Sequence, residues 1–128
     1  MQVYKTKGLA RFARRERIAD ASLAEAIDRA DRGLIDADLG GGLIKQRAAR
    51  QGQGRSGGYR TIVAYRTKDR AVFLYAFAKN ERENIDPDEL AELRKLGLNW
   101  LNAPARKMNE AIADGSLQEV DCGKQKDT

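Results

Sequence analysis

A cluster of lysine and arginine side chains in the middle of the chain is the part of this sequence best suited to chemistry. Lys45 and Arg47 lie two positions apart in a segment with strand character, and Arg60 lies in a second such segment. Side chains two positions apart on a strand project from the same face, about 7 Å apart. Ammonium and guanidinium groups gathered in this way can bind phosphate and stabilise charge that develops on phosphorus.

The positive charge is concentrated in this middle region. Residues 43–82 contain ten Lys or Arg residues and two acidic residues, a net charge of +8. Residues 1–42 carry +1 and residues 83–128 carry −4, which accounts for the net +5 of the 128-residue chain. This distribution favours an anionic partner such as nucleic acid.

A glycine-rich basic segment, residues 50–58, lies between the first two predicted strands of this region. Glycine permits positive φ and a close backbone approach, so exposed N–H groups together with Arg50 and Arg55 could cradle phosphates. The segment lacks the Gly-Lys-Ser/Thr ending of a Walker loop and joins strand to strand. A flexible hairpin loop is the alternative, and glycine content alone does not decide between the two.

Composition excludes several classes of site. The chain has no histidine and one cysteine, Cys122, so we expect no metal site, no His-based catalytic triad and no cofactor. The N-terminus has no apolar signal core and no apolar run approaches the length of a membrane span. We therefore expect a cytoplasmic protein with no membrane partner.

The elements that must position the cations follow from periodicity and turn signals. A short first strand over residues 2–6 and two helices, the second opened by a Ser22–Glu25 capping box, precede a loop at 34–42. Three strands then follow, of which residues 59–66 and 70–78 form an antiparallel hairpin. Asp86 and Pro87 open a further helix, a second one ends at Gly115, and residues 117–120 form an edge strand.

These elements predict an α+β fold, in which an N-terminal helical hairpin packs on a small twisted antiparallel sheet and helices follow at the C-terminus. We expect a single domain over residues 1–122 and a frayed tail over residues 123–128. On strict alternation, Ala71, Phe73, Tyr75 and Phe77 share one face of the last long strand.

A second group of cations lies off the apolar stripe of the first helix: Lys7, Arg11, Arg14, Arg15 and Arg17. They could contact phosphate, but a solvated face or a surface for an acidic protein is the favoured interpretation.

Three segments carry a resemblance to a known family: residues 43–47 (LIKQR), 52–62 (GQGRSGGYRTI) and 73–85 (FLYAFAKNERENI). They resemble the RelE/HigB-type toxins of bacterial type II toxin–antitoxin modules, in the RelE/ParE superfamily. The resemblance implies a RelE-like fold, a cognate antitoxin partner, and cleavage of mRNA in the ribosomal A site by metal-independent attack of the ribose 2′-OH. One departure is Asn80, where RelE has an arginine.

The resemblance also assigns site residues by position. The predicted catalytic set is Lys45, Arg47, Arg60 and Lys79, with Lys45 as the candidate base, Arg60 as the phosphorane clamp, and Lys79 or Arg82 assisting the leaving group. The predicted RNA-binding residues are Arg50, Arg55, Tyr59 and Arg82, and Tyr59, Tyr65 or Tyr75 could stack a base.

Other interpretations stay open at this point. Lys45 and Arg47 could be cations that keep a strand edge soluble, and Arg60 could form a structural ion pair with Glu81 or Glu83. At the level of function, the alternatives are a ParE-like gyrase-inhibiting toxin and a non-catalytic RNA-binding or degenerate toxin.

Overall fold

The structure is a computed structural model that describes residues 1–50, 58–78 and 85–122. Its elements follow in chain order: β1 (Gln2–Thr6), α1 (Lys7–Glu16), α2 (Asp20–Asp31), β2 (Ala37–Gly40), β3 (Leu43–Ala48), β4 (Tyr59–Arg66), β5 (Arg70–Ala78), α3 (Pro87–Asn102), α4 (Ala105–Asp114) and β6 (Leu117–Glu119).

The strands form one mixed sheet in the order β2-β3-β4-β5-β1-β6. β1 is inserted between β5 and β6, parallel to β5 and antiparallel to β6. The strand predicted over residues 2–6 is confirmed as β1, but the predicted antiparallel sheet with an N-terminal helical hairpin is wrong, because the sheet is mixed and its strand β1 precedes the helices. Periodicity identifies a strand but carries no signal for its partner, and the partner of β1 is more than 60 residues away in sequence.

Helices cover both faces of this sheet. α1 and α2 pack on the face that presents Ile44, Val63 and Phe73. α3 and α4 pack on the other face, against Leu43, Ile62 and Val72. Because both faces of β4 and β5 are covered, their side chains are apolar in near-continuous runs rather than in alternation. Among the described residues, no helix is both long enough and apolar enough to cross a membrane.

A strand replaces part of the predicted loop at residues 34–42. β2 pairs antiparallel with β3, with a register shift between Asp38 and Gly40. Gly40, Gly41 and Gly42 all have positive φ and make the turn between the two strands. The glycines were correctly associated with a turn, but the strand before them is only four residues long and has no apolar alternation to reveal it.

The two predicted helix starts have different outcomes. The Ser22–Glu25 capping box is wrong, because α2 begins at Asp20 after an N-cap, Ala19, that makes no side-chain bond. The Asp86 cap is confirmed: its carboxylate accepts from the N–H of Asp88 at 2.8 Å, and Glu89 accepts from the N–H of Asp86 at 3.3 Å.

Gly97 allows α3 to lie close to the sheet. It is buried, and a Cβ added there would lie 2.9 Å from Leu43 Cδ2 and 3.1 Å from Ala64 Cβ. Contacts this short are repulsive, so the glycine sets how closely α3 approaches β3 and β4.

We predict that Gly97→Val destabilises the protein by about 2 kcal/mol, because the branched side chain overpacks the contact between α3 and the sheet. Chemical denaturation measures the change. Gly8→Ala is the matched control, since a Cβ at Gly8 meets nothing within 4 Å and alanine favours the helix. Equal stability of Gly97→Val and the parent protein would contradict this account of α3 packing.

Candidate functional site

The pairing of β3, β4 and β5 places the central cations on one face of the sheet. Arg47 pairs with Arg60, which pairs with Phe77 on the next strand. Lys45 pairs with Ile62 one row further along. Directly paired residues have Cβ atoms about 5 Å apart, so the two guanidinium groups project side by side. We call Lys45, Arg47 and Arg60 the cationic patch; they lie on the α3 side of the sheet.

Among the described residues, the patch is partly exposed and few acidic groups neutralise it. Lys45 and Arg60 are half-buried, and the Arg47 side chain is 46% exposed. Within the described residues, neither Lys45 nor Arg60 makes a side-chain hydrogen bond or ion pair. Arg47 Nε lies 3.9 Å from Asp36 Oδ2, at the outer limit of an ion pair. Three like charges held together in this way favour an anionic ligand.

Gly58 is required for this arrangement. A Cβ at Gly58 would lie 2.1 Å from the carbonyl oxygen of Ala48 and 2.9 Å from Ala49 Cα. These neighbours are backbone atoms, which cannot move aside as a flexible side chain could. The Gly-Tyr-Arg sequence therefore has a direct physical reason: glycine lets β4 start against the end of β3, which brings Arg60 opposite Arg47 two residues later.

A buried polar network supports the outer edge of β3. Arg29, only 6% exposed, donates from Nε to Glu25 at 3.0 Å, from Nη1 to Asp36 at 3.4 Å, and from Nη2 to the carbonyl oxygen of Arg47. Asp36 also accepts from the backbone N–H of Arg47 at 2.7 Å. These bonds satisfy the backbone of Arg47 beyond the point where β2 stops pairing.

Gln46 ties the same strand to α2. It is fully buried, and its amide donates to the carbonyl oxygen of Ala26 at 2.9 Å and of Leu34 at 3.2 Å. Its Oε1 accepts from the N–H of Asp36 at 2.7 Å. Sequence reasoning did not identify Gln46, Arg29 or Asp36, because nothing in their local sequence marks a charge or amide that is satisfied by distant backbone.

A bulge in β5 changes which aromatic side chains lie near the patch. Ile62 pairs with Tyr75 but Val63 pairs with Phe73, so Leu74 is an extra residue. Phe73 stays on the α1 side, whereas Tyr75 and Phe77 pack on the α3 side, with ring centroids 6.1 Å apart. Strict alternation is therefore wrong in β5, and an aromatic pair lies in the rows of the cationic patch.

Two predicted RNA-binding residues lie elsewhere. Tyr59 is buried on the α1 side of the sheet, where its ring packs edge-on against Phe12 at 5.4 Å and its hydroxyl donates to Glu16 at 2.5 Å. Arg50 is half-buried and close enough to Glu16 to help lower the pKa of that carboxyl. The structure thus brings together Lys45, Arg47 and Arg60, but not Tyr59.

The remaining predicted site residues, Arg55, Lys79 and Arg82, lie outside the described residues, as do Glu81 and Glu83. In the described ranges, no group of three or more His, Cys, Asp or Glu side chains could hold a metal ion.

The fold and the patch together define a small basic protein whose sheet holds partly exposed cations on one face. The family model described as the RelE toxin of the RelE/RelB toxin–antitoxin system matches residues 1–120. The chain belongs to this family and is a toxin of a toxin–antitoxin system, which confirms the resemblance and implies a cognate antitoxin as partner. No match was found among the curated proteins with which the sequence was compared.

The bond between Tyr59 and Glu16 makes stability depend on pH. The Tyr59 hydroxyl, with a smaller contribution from Arg15, lowers the pKa of Glu16 below its ordinary value of 4.5. A carboxyl with a lowered pKa stabilises the fold fully above its unfolded pKa, and this contribution is lost as the pH falls through its folded pKa. We predict that Glu16→Gln makes the loss of stability below pH 4.5 less steep.

Denaturant unfolding across the acid range measures this effect. Tyr59→Phe removes the donor and should flatten the same part of the curve, and the double variant should add little to either single change. If Tyr59→Phe keeps the steepness of the parent protein, the hydroxyl is not the cause of the shift.

Proposed function

We propose that this toxin is a ribosome-dependent mRNA endoribonuclease that blocks translation by cutting messages. The observation that supports the proposal is the cationic patch, in which two adjacent strands hold Lys45, Arg47 and Arg60 on one accessible face. Cleavage of RNA without a metal needs groups that accept a proton, stabilise a phosphorane and protonate a leaving oxygen. Lys and Arg side chains can supply the charge stabilisation that this reaction needs.

The reaction is an internal displacement. The ribose 2′-oxygen loses its proton and bonds to the adjacent phosphorus, and the bond from phosphorus to the 5′-oxygen breaks. The products are a 2′,3′-cyclic phosphate and a 5′-hydroxyl that has gained a proton. No oxidant, reductant or cofactor is needed to balance this step.

Each member of the patch has a proposed part. Lys45, as the neutral amine, takes the 2′-OH proton and becomes the ammonium; it lies at a half-buried position beside Ile62 and away from acidic partners in the described part of the chain. Arg60 binds two phosphorane oxygens, because a planar guanidinium matches them with paired N–H donors. Arg47, more exposed and adjacent to Arg60, holds the RNA backbone. Lys79 or Arg82 remains the proposed donor to the leaving oxygen.

Tyr75 is the aromatic side chain best placed to stack a base. It is half-buried on the same face of the sheet as the patch, whereas Tyr59 and Tyr65 lie on the opposite face. Stacking on an aromatic ring is the usual way in which proteins hold an unpaired base. Tyr75 therefore replaces Tyr59 in the proposed RNA surface.

We predict that Arg60→Ala lowers the rate of message cleavage by about 100-fold or more, because one preformed stabiliser of the transition-state charge is removed. Primer extension on a reporter message in a translation reaction measures the cuts. The variant should remain folded and should still bind the antitoxin, since Arg60 makes no side-chain bond with the described residues.

Arg66→Ala is the matched control. Arg66 lies on the same face of β4, but its guanidinium donates to the carbonyl oxygen of Leu101 at 3.0 Å and to Asn102 at 2.9 Å, at the far end of the strand. Cleavage by the Arg66 variant should stay within a few fold of the parent rate. Full activity of Arg60→Ala would refute the assignment of the patch, and intact messages with damaged DNA would point instead to gyrase.

A further inference from the structure

The outward face of α1 is a second cationic surface. Cations at positions 7, 11, 14 and 15 follow helical spacing of i, i+4, i+7 and i+8, and all four are exposed. Residues with this spacing lie on one side of a helix. Leu9, Ala10 and Ala13 lie on the opposite side and are buried against the sheet. We call this surface the α1 stripe: Lys7, Arg11, Arg14 and Arg15.

Acidic groups do not balance the stripe. The one acidic residue of α1, Glu16, accepts the Tyr59 hydroxyl and a bond from Arg15 at 3.3 Å. Hydrogen bonds from Ser116 lower the pKa of Asp114, and the nearby Lys7 adds a smaller contribution. Within the described part of the chain, Arg11 and Arg14 make no ion pair or side-chain hydrogen bond.

Each of the other three helices has one surface cation, in the helix or at its C-cap, that is paired with an acidic residue of the same helix. Arg32 bonds to Asp28 at 3.1 Å, Lys95 lies 3.9 Å from Glu92, and Arg106 bonds to Glu110 at 3.0 Å; each partner is one turn away. In α1, by contrast, Lys7 and Arg15 each lie one turn from Arg11, and like charges at this spacing destabilise a helix. The repulsion between these cations would be relieved by an external anion bound to α1.

The surroundings of the stripe favour RNA over an acidic protein. Protein interfaces are anchored by large apolar side chains that lose water on binding. None of the exposed large apolar residues lies on α1; they are Met1, Leu34, Ile35, Leu96 and Leu98. Phe12 is half-buried, with the Arg15 guanidinium 5.3 Å above its ring. Cations without apolar anchors suit a phosphate backbone, where most of the affinity is electrostatic.

We infer that the α1 stripe binds the phosphate backbone of ribosomal RNA. α1 packs on the sheet face opposite the cationic patch, so the two surfaces point away from each other. A message bound at the patch is therefore separated from the stripe by the sheet and α1. This inference rests on the proposed function: the ribosome would bind the α1 stripe while the message binds the cationic patch on the opposite side of the protein.

Ribosome binding by a cleavage-impaired protein tests the inference. In the Arg60→Ala background, we expect R11Q/R14Q/R15Q to bind purified bacterial ribosomes roughly tenfold more weakly or worse in co-sedimentation. The slope of log affinity against log salt should fall in magnitude by about 2 to 3, because three phosphate contacts are lost. The control K95Q/R106Q/K107Q removes the same charge from exposed positions on α3 and α4 and should bind like its parent.

Two results would overturn the inference. One is ribosome binding by the stripe variant that equals that of the control. The other is loss of antitoxin binding with ribosome binding unchanged, which would show that the stripe binds an acidic protein instead of RNA. Circular dichroism checks that the variants are folded. If the triple variant unfolds, R11Q/R14Q replaces it in the binding assay, because neither arginine forms an ion pair with the described residues.

The readout also separates this inference from the proposed nuclease. Cleavage is assayed with the unmodified toxin, and ribosome binding with the Arg60→Ala protein. If the toxin leaves messages intact while ribosome binding still depends on the stripe, the nuclease proposal fails and the inference stands. If messages are cut with no dependence of ribosome binding on the stripe, the inference alone fails.

Discussion

The pairing of β3 with β4 is the constraint on which the candidate site depends. Six consecutive residue pairs fix the register, and the pair next to the loop, Ala48 with Tyr59, follows the tight approach at Gly58. A shift of one residue would send Arg60 to the opposite face, away from Lys45 and Arg47. The repulsion between Arg47 and Arg60 opposes this register, so backbone pairing and the apolar cores on both faces must hold it in place.

The second requirement is a rigid strand beneath the cations. β3 is the penultimate strand, and β2 pairs with only its first half. Side-chain hydrogen bonds take the place of the missing strand beside the second half of β3. Arg29 and Asp36 bond to the backbone of Arg47, and Gln46 bonds to the neighbouring loop. The cost of burying Arg29 is offset because Glu25, Asp36 and a carbonyl oxygen all accept from it. Polar groups of α2 thereby position a surface on the other side of the sheet.

Local features of the fold could be predicted from the sequence, whereas long-range ones could not. The boundaries of β4 and β5, the Asp86 cap and the glycine that ends α4 each follow from neighbouring residues, and the structure confirms them. The place of β1 in the sheet depends on a partner far away in the chain. The Ser22–Glu25 signal failed because Asp20 is instead bonded to Lys5 and to the N–H of Asp121, distant contacts that accompany an earlier helix start.

The extra residue in β5 has a consequence for how this strand can vary. Because Leu74 adds one residue against β4, the side-chain direction of Tyr75 and Phe77 depends on the count of residues before them. If the same residues of β5 alternated strictly after Phe73, without the bulge, both rings would turn toward α1 and leave a hole under α3. Deletion of Leu74 would keep both rings on the α3 side but would remove a buried side chain from the same core. The bulge is therefore as much a part of this surface as the identity of its side chains.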